Sequence, residues 1–456
     1  MLESKIIELK NKYYAFFQNK FENIAKNSFI LSKIDEIILF FIGLTLLTST
    51  FLESEKIGVF AIIAIILTFV KLHTIKGSEV KLTAWDGAIV VYFIVCFIST
   101  INSALVPQSI HGFLKTVIYI LYYFSVANYF QTNQNKIRYV FLFVAALCGV
   151  EALIALYQNC VGVEEISTWQ DSNYINPEDA IARAYGTLQP YNPNLLGGYL
   201  IAGIPYAIGA VLVGLISKSK KILVFSSLSA VLCAIGIFVT GSRGAYLALA
   251  VVLATIFLLA YIILETDFPA QEKLKIWWKK SVTAIVGCVA LVLIAVPKIT
   301  KRILSIFILR GDSSTSFRMN VYNSSWHMFF DNWFLGIGAG NQTFREIYGL
   351  YMVTGFDALS TYSVPLEIAV ESGICGLTAY VSFIGLFLYN AFKFVRLKDS
   401  PNGLTEKVVV CVSILTILGV MTHGLFDTIY FRPQVQFLFW TMIAMASSVL
   451  IKNKEV

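Results

Sequence analysis

Long apolar runs, separated by short charged segments, dominate the chain. A membrane-spanning helix needs roughly 17–25 mostly apolar residues, and runs of that kind recur about twelve times. Because they leave room for no large soluble domain, the pattern predicts an all-α polytopic membrane protein with about twelve transmembrane helices, and residues 36–456 are expected to form one transmembrane domain. The predicted spans are 36–52, 57–72, 88–105, 113–130, 138–158, 194–216, 221–240, 244–264, 281–299, 366–392, 407–426 and 435–451.

The first 35 residues differ from the rest in being charged and amphipathic. Lysine and glutamate alternate there with aromatic and aliphatic residues, and the first apolar run begins too late for a cleavable signal peptide. We therefore expect residues 1–35 to form a cytoplasmic amphipathic segment, and the first span to remain as an anchor.

Composition agrees with a membrane protein. The hydrophobic fraction is 57% and the charged fraction is 14%, against about 45–50% and about 25% in soluble chains. The net charge of +7 is spread over short lysine clusters between the apolar runs rather than along one basic face. This distribution predicts the lipid bilayer as a partner and argues against nucleic acid.

The basic clusters also predict the orientation in the membrane. Lysine-rich connections near 71–81, 218–221, 273–280 and 393–398 alternate with connections that carry few bases or none. The positive-inside rule then places both termini in the cytoplasm of a multi-pass protein of the cytoplasmic (inner) membrane. Two longer loops, near 159–193 and 300–365, fall on the outer face. The second loop carries several bases, but loops beyond about 60 residues largely escape the rule.

Part of the second outer loop has an amphipathic pattern. Residues 316–333 are expected to form a helix on the membrane surface, with Trp326, Phe329 and Phe330 towards lipid. The glycine-rich run 336–341 would end it.

Arg243 is the first candidate for chemistry. It lies in TGSRGAYLAL, 240–249, where one apolar run gives way to the next after a Gly-Ser turn. An arginine at membrane depth is a functional-site hypothesis by default, and its guanidinium suits a phosphate or a carboxylate. The alternative is an interfacial arginine that only anchors a helix.

Arg318 is the second candidate, at the start of the predicted surface helix. Helix N-termini and nearby arginines together make anion sites. A solvated loop charge is the plainer alternative.

Acidic residues follow in TYSVPLEIAVESGICGL, 361–377, where Glu367 and Glu371 come after Tyr362 at i, i+4 spacing and so share one helix face. They could bind a cation, serve as a base or pair with Arg243 or Arg318.

A further polar cluster lies at the end of the eleventh span. His423 and Asp427 again have i, i+4 spacing, and Arg432 follows. A histidine with an oriented carboxylate is a possible proton-transfer pair, and equally a common structural hydrogen bond. Before span six, a turn rich in Pro and Asn that ends at Asn194 could close over a site.

The joint placement of these residues is more informative than any one of them. With the lysine-derived orientation, all of them fall near the outer face, where arginines with few competing carboxylates suit a polyanionic ligand such as a lipid-linked diphosphate. The residues are Arg183, Arg243, Arg318, Tyr362, Glu367, His423, Asp427 and Arg432.

The run from about 180 to 435 resembles the O-antigen ligase/polymerase superfamily of polytopic membrane glycosyltransferases. The resemblance rests on ordered pieces: GTLQPYNPNLLGGYL (186–200), TGSRGAYLAL (240–249), SFRMNVYNSSW with FLGIGAGNQTF (316–344), and ESGICGL (371–377). YSVPLEIAVESG (362–373) and HGLFDTIYFRPQVQ (423–436) are similar to its IctB-like branch, which carries the label of a bicarbonate transporter.

The resemblance implies an enzyme of polysaccharide biosynthesis in the cell envelope. Such ligases move a glycan from an undecaprenyl-diphosphate-linked donor to an acceptor sugar on a glycolipid or glycoprotein, with no metal and no other cofactor. Arg243 and Arg318 would hold the diphosphate leaving group as catalytic residues, because neutralising a departing diphosphate stabilises the transition state. Arg183, Asn194, Tyr362, Asp427 and Arg432 are the expected substrate-binding residues.

One position departs from the family pattern. Ligases commonly carry a histidine, in an H-N-x-x-L context, where this chain has Tyr362. Tyrosine has an unperturbed pKa of about 10 and is a poor general base at neutral pH. Either Glu367 or His423 then takes the catalytic role of activating the acceptor, or this branch does something else.

Two alternatives to a ligase stay open. A transporter of bicarbonate or another small anion would use the same arginines, although transporters tend to show internal repeats and the sequence shows none. A non-catalytic protein that binds a lipid diphosphate would explain the departure at Tyr362.

Overall fold

The computed structural model describes residues 2–52, 54–162, 183–295, 300, 313–398 and 403–452. These residues form helices and connecting turns without a strand, so the predicted all-α polytopic fold is confirmed. The helices are α1 (Leu2–Lys20), α2 (Glu22–Asn27), α3 (Phe29–Ser32), α4 (Ile34–Phe51), α5 (Ser54–Thr74), α6 (Ala84–Ile101), α7 (Val106–Thr132), α8 (Ile137–Val161), α9 (Pro193–Ile216), α10 (Lys220–Val239), α11 (Arg243–Asp267), α12 (Glu272–Ala295), α13 (Ser313–Asp331), α14 (Asn341–Tyr348), α15 (Val364–Val395), α16 (Leu404–Gly424) and α17 (Pro433–Lys452).

Ten helices in these ranges are long and apolar enough to cross a membrane. They match ten of the twelve predicted spans. The second predicted span lies in α5, whose described apolar part, Gly58–Thr74, is shorter than the other spans. The ninth lies in α12, and its residues 296–299 fall outside the described residues. Most of the first predicted outer loop (163–182) and part of the second (301–312) also fall outside them.

Burial orders the helices from the centre of the bundle outwards. The apolar span of α17 is 100% buried, that of α16 is 78% buried, and those of α10 and α11 are 28% buried. Helix α17 packs against α7 and α16, while α9 contacts α8, α10 and α16. A helix that is apolar on every side belongs inside a bundle, whereas the exposed apolar faces of α10 and α11 suit lipid.

One end of the bundle carries paired lysines, and we call it the basic end. Lys407 pairs with Asp267 at 2.6 Å, and Lys71 pairs with Asp35 at 2.6 Å. These pairs join the start of α16 to the end of α11, and the end of α5 to the start of α4. The opposite end, where α9, α11 and α15 begin, we call the arginine end.

Helix α15 is broken in its third turn by inserted backbone. Gly373 has φ +65° and ψ −170°, a conformation close to Gly-only. The N–H groups of Ile337 and Gly338 donate to the carbonyls of Val370 and Glu371, at 2.9 and 3.1 Å, and the Ile374 N–H donates to the Trp333 carbonyl at 2.7 Å. Non-helical backbone at membrane depth is tolerated only where its polar groups find partners inside the protein, and the segment 333–338 provides them.

The amphipathic helix predicted at 316–333 is present as α13, but Phe329 does not lie on its exposed face as predicted. Trp326 and Phe330 are exposed, as expected for contact with lipid, whereas Phe329 is 9% exposed and packs with Val321 and Phe344 in a small second core. The helix ends at Asp331, before the glycines. Phe329 is buried because α14 folds back beneath α13, an arrangement that the sequence pattern does not indicate.

Candidate active site

Several helix N-termini meet at the arginine end. Pro193 opens α9, Arg243 opens α11 and Val364 opens α15, and the start of α13 joins them through Arg318. The Asn192 side chain accepts from the Asn194 N–H and fixes the first turn of α9. The N-terminus of a helix carries a partial positive charge, so this end of the bundle favours an anion before any side-chain charge is counted.

A chain of polar contacts crosses this end, and we call it the arginine cluster. The Arg183 guanidinium donates to Asn194 Oδ1 at 2.7 Å, and Asn194 Nδ2 donates to Asp427 Oδ2 at 2.8 Å. The same Asp427 oxygen lies 3.7 Å from the Arg318 guanidinium. Four predicted site residues from three regions of the sequence are thus linked by contacts. The Asp427 carboxylate occupies a position where an anionic ligand would compete with it for the arginines.

The turn before α11 positions Arg183. Arg183 Nε donates to the Thr240 carbonyl at 3.0 Å. Gly241 has φ +62°, and a Cβ added there would lie 3.2 Å from the Arg183 side chain. The glycine of the TGSRG motif therefore lets the turn take a left-handed conformation and lets Arg183 pass close to it. This places Arg183 against the turn that delivers Arg243.

Arg243 is the first residue of α11 and is partly exposed. The residue before it, Ser242, lies with its hydroxyl 3.4 Å from His423 Nε2. A Cβ at Gly244 would lie 3.7 Å from the same imidazole. The end of α16 thus packs on the first turn of α11, which places Arg243 at the same end of the bundle as Asp427.

Tyr362 lies beside Arg318, with the guanidinium 5.7 Å from the centre of its ring. Its backbone has φ +56°, an uncommon conformation for a residue other than glycine, and its carbonyl accepts from the Tyr322 hydroxyl at 3.2 Å. Burial, together with repulsion from the Asp427 carboxylate, raises the pKa of Tyr362 to about 12. At neutral pH the side chain is therefore a neutral phenol that can donate a hydrogen bond and cannot act as a base.

This raised pKa predicts how a Tyr362→Phe variant behaves. In the folded protein the hydroxyl stays protonated below about pH 12, so its removal is expected to leave unchanged, between about pH 6 and pH 9, the pH dependence of the glycan transfer that the family resemblance implies. The rate is expected to fall by about tenfold at most, the effect of one lost hydrogen bond. Rates measured across this range with both proteins test the expectation. A limb in the wild-type profile that disappears in the variant would show that Tyr362 titrates during the reaction.

Glu367 lies inside the protein rather than against the arginines. It is 1% exposed, and its carboxylate accepts from the Thr361 N–H at 2.6 Å. It thus closes the turn that holds Tyr362 at the start of α15. Of the roles left open by the sequence, this contact favours a structural one for Glu367.

His423 and Asp427 do not share a helix face, because α16 ends at Gly424. His423 is 1% exposed, and its Nδ1 has no hydrogen-bond partner among the described residues. Asp427 instead lies in the following turn, where it also accepts from the Thr428 N–H at 2.8 Å. The i, i+4 spacing read from the sequence therefore does not produce a hydrogen-bonded pair on one helix.

Arg432 lies apart from the arginine cluster. It follows a short 3₁₀ turn, Ile429–Phe431, and its carbonyl accepts from Val435 and Gln436 in the first turn of α17. Thr240 and Thr361, which hold Arg183 and Glu367 through their backbone groups, were not predicted, since a backbone contact leaves no signal in the sequence.

One stretch of the chain matches a known protein family. Residues 228–381 match the O-antigen ligase family. The matched stretch contains Arg243, Arg318 and Tyr362, so the resemblance read from the motifs is confirmed. The similarity to the IctB-like branch in particular stays a prediction.

One curated protein is similar to the chain over about half of its length. The chain is 23% identical over 238 residues to the teichuronic acid biosynthesis protein TuaE of Bacillus subtilis (strain 168). The aligned stretch covers 49% of this chain and 45% of TuaE, so the chain spans about half the length of the relative it matches. Together with the ten candidate spans, the family match indicates a multi-pass membrane protein similar to O-antigen ligases over residues 228–381.

Proposed function

We propose that the protein is a glycosyltransferase of the O-antigen ligase type. It transfers a glycan from an undecaprenyl-diphosphate carrier to an acceptor sugar at the outer face of the cytoplasmic membrane. The arginine end faces outwards and both termini face the cytoplasm, as the lysine distribution predicts. The observation that carries the proposal is the arginine cluster, in which Arg183 and Arg318 are linked through Asp427, at the end of an apolar bundle where Arg243 opens α11.

The cluster suits a diphosphate better than a single small anion. Arg318 lies 3.7 Å from Asp427 Oδ2, and Arg183 is linked to the same oxygen through Asn194, so two guanidinium groups lie around one carboxylate. Each guanidinium can bind two oxygens of a phosphate in its plane. A diphosphate presents two such groups, and its lipid tail can lie along the exposed apolar faces of α10 and α11.

The arrangement also suits the chemistry of transfer. An acceptor hydroxyl attacks the anomeric carbon of the donor, the bond from that carbon to the diphosphate oxygen breaks, and the lipid diphosphate leaves with an added negative charge. Arginines fixed before the reaction stabilise this charge as it develops. Asp427, the carboxylate in contact with Arg318, would take up the proton of the attacking hydroxyl, since Glu367 and His423 are enclosed by protein.

Binding of the leaving group tests the proposal through Arg243. In nanodiscs, the Arg243→Ala variant is expected to bind undecaprenyl diphosphate about tenfold or more weakly than the wild type, because one charge-assisted contact is worth about 1.5–3 kcal/mol. Arg138→Ala is the control, since Arg138 is an exposed arginine at the start of α8, at the basic end. Equal affinity for the wild type and the Arg243→Ala variant would contradict the proposal.

A further inference from the structure

A polar cavity, separate from the arginine cluster, lies at the arginine end on the other side of α15. It is enclosed by α7, α15, α17 and the segment 340–342, and has a volume of about 150 Å³. We call it the α7 pocket. Space of this size holds several water molecules or a small polar ligand. The arginine cluster does not use it, because Arg183, Arg318 and Asp427 are absent from its lining.

Charged and amide side chains face the α7 pocket. Lys115 brings an amine to it, Glu371 brings a carboxyl group, and Gln108 and Gln436 bring amides. One Glu371 oxygen accepts from the Gly340 N–H at 2.8 Å, which fixes the carboxylate in place. Gln108 Oε1 is buried and has no hydrogen-bond partner among the described residues. A buried, unpaired acceptor is costly, so Gln108 is prepared to receive a hydrogen bond from a ligand.

Several aromatic rings also line the pocket. The rings belong to Tyr92, Tyr119, Tyr380, Tyr430 and Trp440. Trp440 donates its indole N–H to Gln436 Oε1 at 2.5 Å, which orients that amide. Aromatic faces can pack on the C–H groups of a ligand, and the neighbouring hydrogen-bond donors and acceptors can bind its hydroxyl groups. A sugar ring has C–H faces and many hydroxyl groups.

One wall of the pocket is formed by residues that directly follow the segment 333–338, which breaks α15. The backbone of Ala339 and Gly340 lies so close to α7 that a Cβ at Gly112 would be 2.4 Å from the Ala339 carbonyl oxygen. Ser109 and Thr343 join their hydroxyls at 3.1 Å across the same contact. The wall formed by the segment 340–342 is therefore fixed tightly against α7.

We infer that the α7 pocket binds a sugar ring of the acceptor glycan, with Lys115 and Glu371 hydrogen-bonded to its hydroxyl groups. This inference rests on the proposed function only in naming the sugar as the acceptor. The break in α15 would then connect the two sites. It orients Glu371 and places Gly340 at the α7 pocket, while the first turn of the same helix lies beside Tyr362 at the arginine cluster.

Saturation-transfer NMR with free sugars tests the inference without a lipid donor. The probes are glucose, N-acetylglucosamine and glucuronate, with nanodiscs that contain the protein and with empty nanodiscs. We expect saturation of at least one probe with the wild type, reduced threefold or more in both Lys115→Met and Glu371→Gln. Glutamine keeps an oxygen that can accept from the Gly340 N–H, so the fold of the second variant should be preserved, and melting curves check this.

Two controls separate this inference from the proposed function. Arg345→Met removes a positive charge at the same end, outside the pocket, and should leave the signal unchanged. Arg243→Ala should also leave it unchanged, because the sugar is bound without the diphosphate. If the sugar signal persists in both pocket variants, or if no probe is saturated by the wild type, the inference is wrong. Sugar binding that survives a failure of diphosphate binding would overturn the proposed function alone.

Discussion

The Arg318→Ala variant is expected to transfer glycan about 100- to 1000-fold more slowly than the wild type, the usual effect of removing one preorganised group from a developing oxyanion. Arg318 is partly exposed, forms an ion pair with Asp427 at 3.7 Å and lies 5.7 Å from the centre of the Tyr362 ring, so its guanidinium is held in place. A departing diphosphate would bind Arg318 beside Asp427, which by then would carry the proton of the acceptor hydroxyl. The measurement is the initial rate of transfer from an undecaprenyl-diphosphate-linked oligosaccharide in nanodiscs.

Two further variants sharpen this test. Arg318→Lys keeps the charge but loses the planar fork, and it should recover only a small part of the rate. Arg345→Ala removes an exposed arginine of the same outer region, which pairs with Asp357 at 3.5 Å, and should transfer at close to the wild-type rate. If Arg318→Ala and Arg345→Ala were equally active, Arg318 would not belong to the site.

The Gly373→Ala variant is expected to lose folded protein. A Cβ at Gly373 would lie 2.2 Å from the Phe334 carbonyl oxygen, and the backbone conformation there is nearly restricted to glycine. The backbone strain alone costs about 1–3 kcal/mol, and the clash with main-chain atoms adds to it. We expect a marked drop in the melting temperature of the detergent-solubilised protein.

Gly385→Ala provides the matched control on the same helix. A Cβ at Gly385 meets no atom within 4 Å. Alanine is favoured over glycine in a helix by up to about 1 kcal/mol, so this variant should melt at the wild-type temperature or slightly above it. Equal melting temperatures for the two variants would show that the segment 333–338 is not inserted tightly into α15.

The helices could be predicted because each one carries its own signal. An apolar run of the right length determines a span, and capping residues such as Asn192 and Ser219 mark where a helix begins. The break in α15 had no such signal, since ESGICGL continues a helical apolar pattern through Gly373. Only the partner segment, more than thirty residues earlier in the chain, makes the break stable.

The candidate site could be predicted in its membership but not in its contacts. A common predicted side of the membrane was enough to group Arg183, Arg318 and Asp427. The i, i+4 spacing of His423 and Asp427 misled, because α16 ends between them. Glu367 was expected near an arginine, yet it bonds to a backbone N–H six residues earlier, and spacing cannot show such a contact.

The α7 pocket could not be predicted from the sequence. Lys115, Glu371 and Gln436 are separated by more than sixty residues from one another, and no motif links them. They meet because α7 packs on α17 while the glycine-rich segment lies between α7 and α15. Long-range packing of this kind is decided by the whole bundle and not by any local pattern.

The most direct test of the central claim is the release of undecaprenyl diphosphate. Protein in nanodiscs is given a mixture of undecaprenyl-diphosphate-linked oligosaccharides with candidate acceptors, and the free lipid diphosphate is followed by mass spectrometry. We expect release by the wild type, dependent on an acceptor, and loss of that release in the Arg243→Ala variant. No release from well-folded wild-type protein across several glycans, or uptake of labelled bicarbonate into proteoliposomes that depends on Arg243, would contradict glycosyl transfer.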